Sequence, residues 1–133
     1  MKSTDLQIGD YALVKPSMML IKIAAVHYKK VGYHAVTHKL NWVRMDLLEP
    51  IPLTAEILER NGFELRNGFF YHRIDDKPHH YDFKLENGGV FTSEGYTLQC
   101  CIYHLTIRYV HELQHALRLC GLNELADNFK LEG

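Results

Sequence analysis

The sequence predicts an α+β protein with an N-terminal small antiparallel β-barrel-like lobe of the Src-homology type, followed by an antiparallel sheet flanked by two helices. Three observations lead there. Short β-rich runs crowd residues 10–45 with no room for a helix between them, two prolines interrupt residues 48–53, and residues 106–119 repeat apolar side chains at helical spacing. The expected organisation is a lobe over 1–49, a proline joint over 50–53, and a helix, antiparallel strands and a C-terminal helix over 54–133, packed as one compact unit.

Each element has its own warrant. Tyr11–Lys15 is a β-rich run closed by Pro16-Ser17, and Met18–His27 is a longer apolar strand, so the two read as a hairpin. Lys29-Lys30 marks a turn, Val31–Thr37 a third strand and Leu40–Met45 a fourth, which carries Trp42, the only tryptophan. Leu48-Glu49-Pro50-Ile51-Pro52-Leu53 is not a central strand, because two prolines remove ladder donors.

Thr54 is placed to cap a short helix from Ala55 to about Arg60, closed at Asn61-Gly62. Asn67-Gly68, between Phe63–Leu65 and Phe69–Ile74, is the strongest short hairpin signal in the chain. Asp75-Asp76-Lys77-Pro78 reads as a solvated loop, Tyr81–Glu86 as a strand, Asn87-Gly88-Gly89 as a turn and Val90–Thr92 as a returning strand. Tyr96–Tyr103 reads as one more strand, leading into a helix from about Thr106 to Leu119, with a last helical turn in Asn123–Phe129.

Composition narrows the setting. With 133 residues, 47% hydrophobic and 23% charged, the chain is long enough to bury a core. The absence of a long apolar run and of a signal-peptide pattern leads to the expectation of a cytoplasmic protein with no membrane association. Three cysteines, two of them adjacent at Cys100 and Cys101, read as buried thiols rather than a disulfide framework. The net charge of −1 hides an asymmetry: residues 1–46 hold seven Lys/Arg against three Asp/Glu, and residues 47–133 eight against thirteen.

One stretch carries a recognisable chemical pattern. His111-Glu112-Leu113-Gln114-His115 is His-Glu-x-x-His on a helix, where residues four apart share a face. His111 and His115 would then ligate one metal, with Glu112 polarising a bound water, as in zincins. A metzincin-type third histidine would fall at Gly121, so that extension is absent. The plainer reading places both histidines on a polar row, His104, Arg108, His111, His115 and Arg118, beside an apolar stripe of Val110, Leu113, Ala116, Leu117 and Cys120. His72, His79 and His80 are further candidate ligands, although adjacent residues in an extended segment point apart.

Other chemistry is thinly represented. There is no Gly-rich phosphate loop, no Gly-x-Ser-x-Gly elbow and no Cys-based metal site, so no cofactor is expected. These features lead to a non-enzymatic binding or adaptor module whose ligand is a macromolecule, with protein placed ahead of nucleic acid and self-association of oppositely charged lobes as one form. Two alternatives stand beside it: a metal-binding protein or zinc hydrolase using His111, His115 and Glu112, and a nucleic-acid-binding module through the basic N-terminal lobe. In the latter, Lys29, Lys30 and other cations neutralise phosphates while Trp42 and tyrosines stack on bases. His111 and Gln114 are the candidate partner-binding residues of the helix, with a hydrogen bond from the Gln114 amide to a strand edge as the structural counterpart.

Three landmarks carry a resemblance: Leu6-x-x-Gly9-Asp10-Tyr11; Glu49-Pro50-Ile51-Pro52-Leu53-Thr54 followed by Leu58 and Asn61-Gly62-Phe63; and Arg108-Tyr109-Val110-His111-Glu112-Leu113-Gln114. Together they resemble a family of small uncharacterised proteins of gut Bacteroidetes genomes, their prophages and mobile elements, over nearly the whole chain. The resemblance implies a shared fold and an accessory-genome or phage-related setting, with no activity, substrate or cofactor to transfer. It also implies that Asn commonly stands where this chain has His115, the residue that completes His-Glu-x-x-His.

Overall fold

The computed structural model describes residues 5–35, 38–76, 79–87, 96–100 and 103–131, with side chains described outside 73–76, 79–83, 87, 96–100 and 103–105. The protein is α+β, and its contacts divide it into two units, Met1–Pro52 with Tyr109–Asn128, and Leu53–Arg108 with Phe129–Gly133.

The first unit opens with β1 (Tyr11–Val14), β2 (Met19–Val26), β3 (Lys30–His34) and β4 (Leu40–Arg44), then a 3-10 turn over Met45–Leu47 and the two-residue β5 (Leu48–Glu49). All neighbours pair antiparallel in the order β4-β3-β2-β1-β5. Alternation explains the core: Ala12 and Val14 on β1 and Ile21 and Ile23 on β2 face inward with Leu6, Val31, Met45 and Leu48. No ladder joins β4 to β5 among the described residues, so the five-stranded antiparallel sheet is the level at which the expected barrel-like lobe is met.

The same unit contains α2 (Val110–Leu119) and α3 (Asn123–Asp127). This corrects the grouping expected from chain order, which put the C-terminal helix with the second sheet. The reason is polar as well as apolar: side chains of α2 hydrogen-bond to residues 7–11, and the Val110 amide donates to Ile51 O at 2.8 Å.

The second unit begins with α1 (Ala55–Arg60), whose bounds match the sequence expectation. Thr54 caps it, its Oγ1 accepting from the Ile57 amide at 3.2 Å. Asn61 closes it and holds the chain end: its Oδ1 accepts from Lys130 N at 2.6 Å, and its Nδ2 donates to Lys130 O and Ile57 O. A second antiparallel sheet follows, ordered β10-β9-β8-β7-β6, from β6 (Glu64–Arg66), β7 (Phe69–Asp76), β8 (His79–Asn87), β9 (Tyr96–Cys100) and β10 (Tyr103–Ile107). The turn between β6 and β7 is Asn67-Gly68, both at positive φ (52° and 84°), as a type I′ turn requires. Phe70 and Leu85, paired across β7 and β8, are both buried.

Several element boundaries differ from expectation, among them Lys30, which opens β3 instead of lying in a turn. Asp75 and Asp76 belong to β7 rather than to a loop, because they continue the ladder to His80 and His79. The last long helix starts at Val110, not near Thr106, because residues 103–107 pair with β9. The expected strand Val90–Thr92 and the turn glycines Gly88 and Gly89 lie outside the described residues, as do Cys101, Lys77 and Pro78. Of the cysteines expected to be buried, Cys120 is half-buried. Among the described residues no helix is long and apolar enough to cross a membrane.

Candidate functional site

The chemistry-bearing side chains of α2 converge on Asp10, a carboxylate with no solvent exposure just ahead of β1. Its Oδ2 accepts from the Gln7 amide at 2.7 Å and lies 2.6 Å from His115 Nε2. Its Oδ1 accepts from Arg118 Nη1 at 2.6 Å. A buried carboxylate is costly unless paired and hydrogen-bonded, and here both oxygens are taken. Arg118 reaches further, to Gln7 Oε1 at 3.0 Å and to Asp127 Oδ1 at 3.3 Å.

Gln114, also with no solvent exposure, performs the tie expected of it. Its Oε1 accepts from the Tyr11 amide at 3.0 Å, and its Nε2 donates to Gly9 O and Ala126 O, each at 2.9 Å. One amide therefore joins β1, the turn before it and α3. Gly9 has φ +95°, and a Cβ there would stand 2.8 Å from Asp127 Oδ1 and 2.9 Å from Arg118 Nη2. The positive φ favours glycine here, and a Cβ would also crowd the ends of the Asp127 and Arg118 side chains.

His115 is spent on Asp10, and Glu112 Oε1 accepts from the Tyr109 amide at 3.1 Å, which is the N3 half of a capping box. His111 is 6% exposed; its ring stacks on Tyr109 at 5.9 Å and meets His115 edge-on at 5.6 Å. Among the described residues its buried Nδ1 has no hydrogen-bond partner. Burial pushes the His111 pKa below its ordinary 6.5; the Asp10 carboxylate opposes that shift and His115 reinforces it. Among the described residues no group of three or more His, Cys, Asp or Glu is placed to hold a metal ion. The side chains of His79, His80 and His104 lie outside the described set.

His111 and Gln114, the partner-binding residues expected on the helix, are both buried. Sequence reasoning missed Asp10 as the hub; the available signal was an aspartate preceding a strand together with His115 and Arg118 three apart on one helical face.

Lys29, Lys30 and Trp42 lie elsewhere, on the opposite fate. In the β3–β4 ladder Lys30 faces Arg44, Gly32 faces Trp42 and His34 faces Leu40, and directly opposed residues share one face of a sheet. That face is outward: Val31, from the alternate set, is fully buried, whereas Trp42 is 46% exposed. Lys30 Nζ stands 4.7 Å from the Trp42 ring centroid. In the turn before β3, Tyr28 is 77% exposed with Lys29 Nζ 5.8 Å from its ring. Beside this face lies a groove of about 460 Å³ lined by Ile8, Lys22, Ala24, His34 and Asp127 among others. Lys22 Nζ donates to Asp127 O at 2.5 Å, and burial raises the Tyr11 phenol beneath it, with Asp127 adding to the shift.

No family model, no curated protein and no solved structure matches the chain.

Proposed function

We propose that the chain is a non-enzymatic binding or adaptor module whose working surface is the outer face of β3 and β4 around Trp42. The carrying observation is the division of labour between its polar groups. Asp10, Gln114, His115 and Arg118 hydrogen-bond to one another, to backbone and to the Gln7 and Asp127 side chains, whereas Trp42 and Tyr28, each with a lysine over its ring, stand in solvent. An exposed aromatic costs hydration without contributing to a core, and aromatic and cationic side chains together mark contact surfaces.

Finer readings go with this proposal. The order β4-β3-β2-β1-β5, with a single 3-10 turn between β4 and β5, supports a barrel-like lobe of the Src-homology type. A cytoplasmic protein of an accessory-genome or phage setting, from the family resembled by the Gly9-Asp10-Tyr11, Glu49–Thr54 and Arg108–Gln114 landmarks, is the setting we propose for it.

Because Trp42 is the only tryptophan, its emission reports on the proposed surface directly. A panel of oligonucleotides and of acidic, basic and proline-rich peptides is titrated against that emission. The expected result is a saturable change with at least one class that Lys30→Glu weakens. No saturable change with any class would remove the reading.

A further inference from the structure

We infer that the Trp42 face takes single-stranded nucleic acid; this rests on the binding-surface reading above and names its ligand. The argument starts from a repeated unit. Tyr28 with Lys29 and Trp42 with Lys30 each combine an exposed π-face with an ammonium group 4.7–5.8 Å from the ring centroid. A single strand presents the complementary repeat, a base to stack on the ring and a phosphate to receive the ammonium. Exposed cation–π contacts are weak, so a lysine leaves its ring for a phosphate at little cost.

Charge and neighbouring shape point the same way. Arg44, across the ladder from Lys30, adds a cation on the same face, although Asp46 accepts from its Nε and Nη2 at 3.1 Å. His34 belongs to the same outward row as Trp42 and also lines the groove, where Lys22 is a further cation. The groove therefore continues the aromatic platform, and its volume of about 460 Å³ lies within the range of small-ligand sites. Asp127, the acidic group at its edge, already carries Arg118 on its Oδ1.

Other partners fit less well. Protein interfaces deplete lysine at their centres, because an ammonium is costly to desolvate, and here lysines sit against both aromatics. An acidic peptide would satisfy the ammonium groups and leave the ring faces unused. A duplex keeps its bases stacked on each other, so two exposed rings gain nothing from it.

The test is a titration of the full chain with a short oligothymidylate, followed by Trp42 emission, with a blunt duplex and polyglutamate in parallel. We expect saturable quenching by the single strand and weaker binding of the other two. Three phosphate contacts predict a loss of roughly tenfold to twentyfold in affinity between about 50 and about 200 mM salt. With a labelled strand read by anisotropy, Trp42→Phe should retain binding and Trp42→Ala lose roughly tenfold. The Lys29→Glu, Lys30→Glu double variant, altered only at exposed positions, should lose binding while its circular dichroism is unchanged. Equal or tighter binding of duplex or polyglutamate overturns the single-strand assignment and leaves the binding surface standing. No quenching by any probe in the wider panel overturns both.

Discussion

Arg118 Nη1 lies 2.6 Å from Oδ1 of Asp10, a residue 108 positions earlier in the chain whose side chain has no solvent exposure. The pair fastens α2 to the segment that leads into β1. Removing one partner of a buried ion pair leaves the other uncompensated, which typically costs more than the pair contributes. Arg118→Ala should therefore lower stability by about 3 kcal/mol. Arg118 and Asp10 changed together to alanine should cost at least about 1 kcal/mol less than the two single changes added. Urea unfolding with an unchanged m-value checks this, and additivity would contradict it.

Gln114 supplies the hydrogen-bond partner of three backbone groups. Leucine at that position has similar bulk but leaves the Tyr11 amide and the Gly9 and Ala126 carbonyls without it. We expect Gln114→Leu to lose about 3 kcal/mol, a few times the worth of one net hydrogen bond, because unmade buried bonds carry their full desolvation cost. Gln114→Glu should be no better, since it keeps the acceptor for Tyr11 but sets a carboxylate against two carbonyl oxygens. A loss below about 1 kcal/mol in Gln114→Leu would show that water replaces the amide.

Local chemistry was legible in the sequence, and long-range partnership was not. The Thr54 cap, the α1 bounds, the Asn67-Gly68 turn and the hairpin of β1 and β2 each depend on residues within a few positions. Glu112 also marked the helix start three residues before it, at Tyr109, but the apolar spacing that reaches back to Thr106 obscured that signal. The hub could not be read the same way. Asp10 meets its partners across 105 and 108 positions, and a histidine spaced for metal looks the same in sequence as one spaced to meet a buried aspartate.

That partnership reverses an expectation about His115. On the polar-row reading, His115→Asn changes neither fold nor stability. With His115 Nε2 2.6 Å from Asp10 Oδ2, the substitution removes a hydrogen bond to a charged group, and a loss of about 1.5 kcal/mol is expected. Glu112→Gln should be nearly silent, because glutamine also caps at N3, whereas Glu112→Ala should cost about 1 kcal/mol. Tag-free protein should contain well below one equivalent of zinc by elemental analysis. Stoichiometric zinc, lost together with stability in His115→Asn, would restore the metal reading.

His111 yields the prediction with the clearest sign. Its Nδ1 is buried without a hydrogen-bond partner among the described residues, so an apolar ring of similar size relieves a cost. His111→Phe should lie within about 1 kcal/mol of the parent at pH 7.5. Acidification should then separate the two. Burial depresses the folded-state pKa of His111, and His115 adds to this while Asp10, Glu112 and Asp5 oppose it. Between that depressed value and the ordinary 6.5, the unfolded chain binds a proton that the folded chain refuses, so stability rises with pH. The parent's contribution from His111 is whole above about pH 6.5 and is lost as pH falls toward the folded value. Urea midpoints of parent and variant, measured from about pH 7.5 down to about pH 5, should diverge in favour of His111→Phe. Parallel curves would show that the imidazole is accommodated equally well in both charge states.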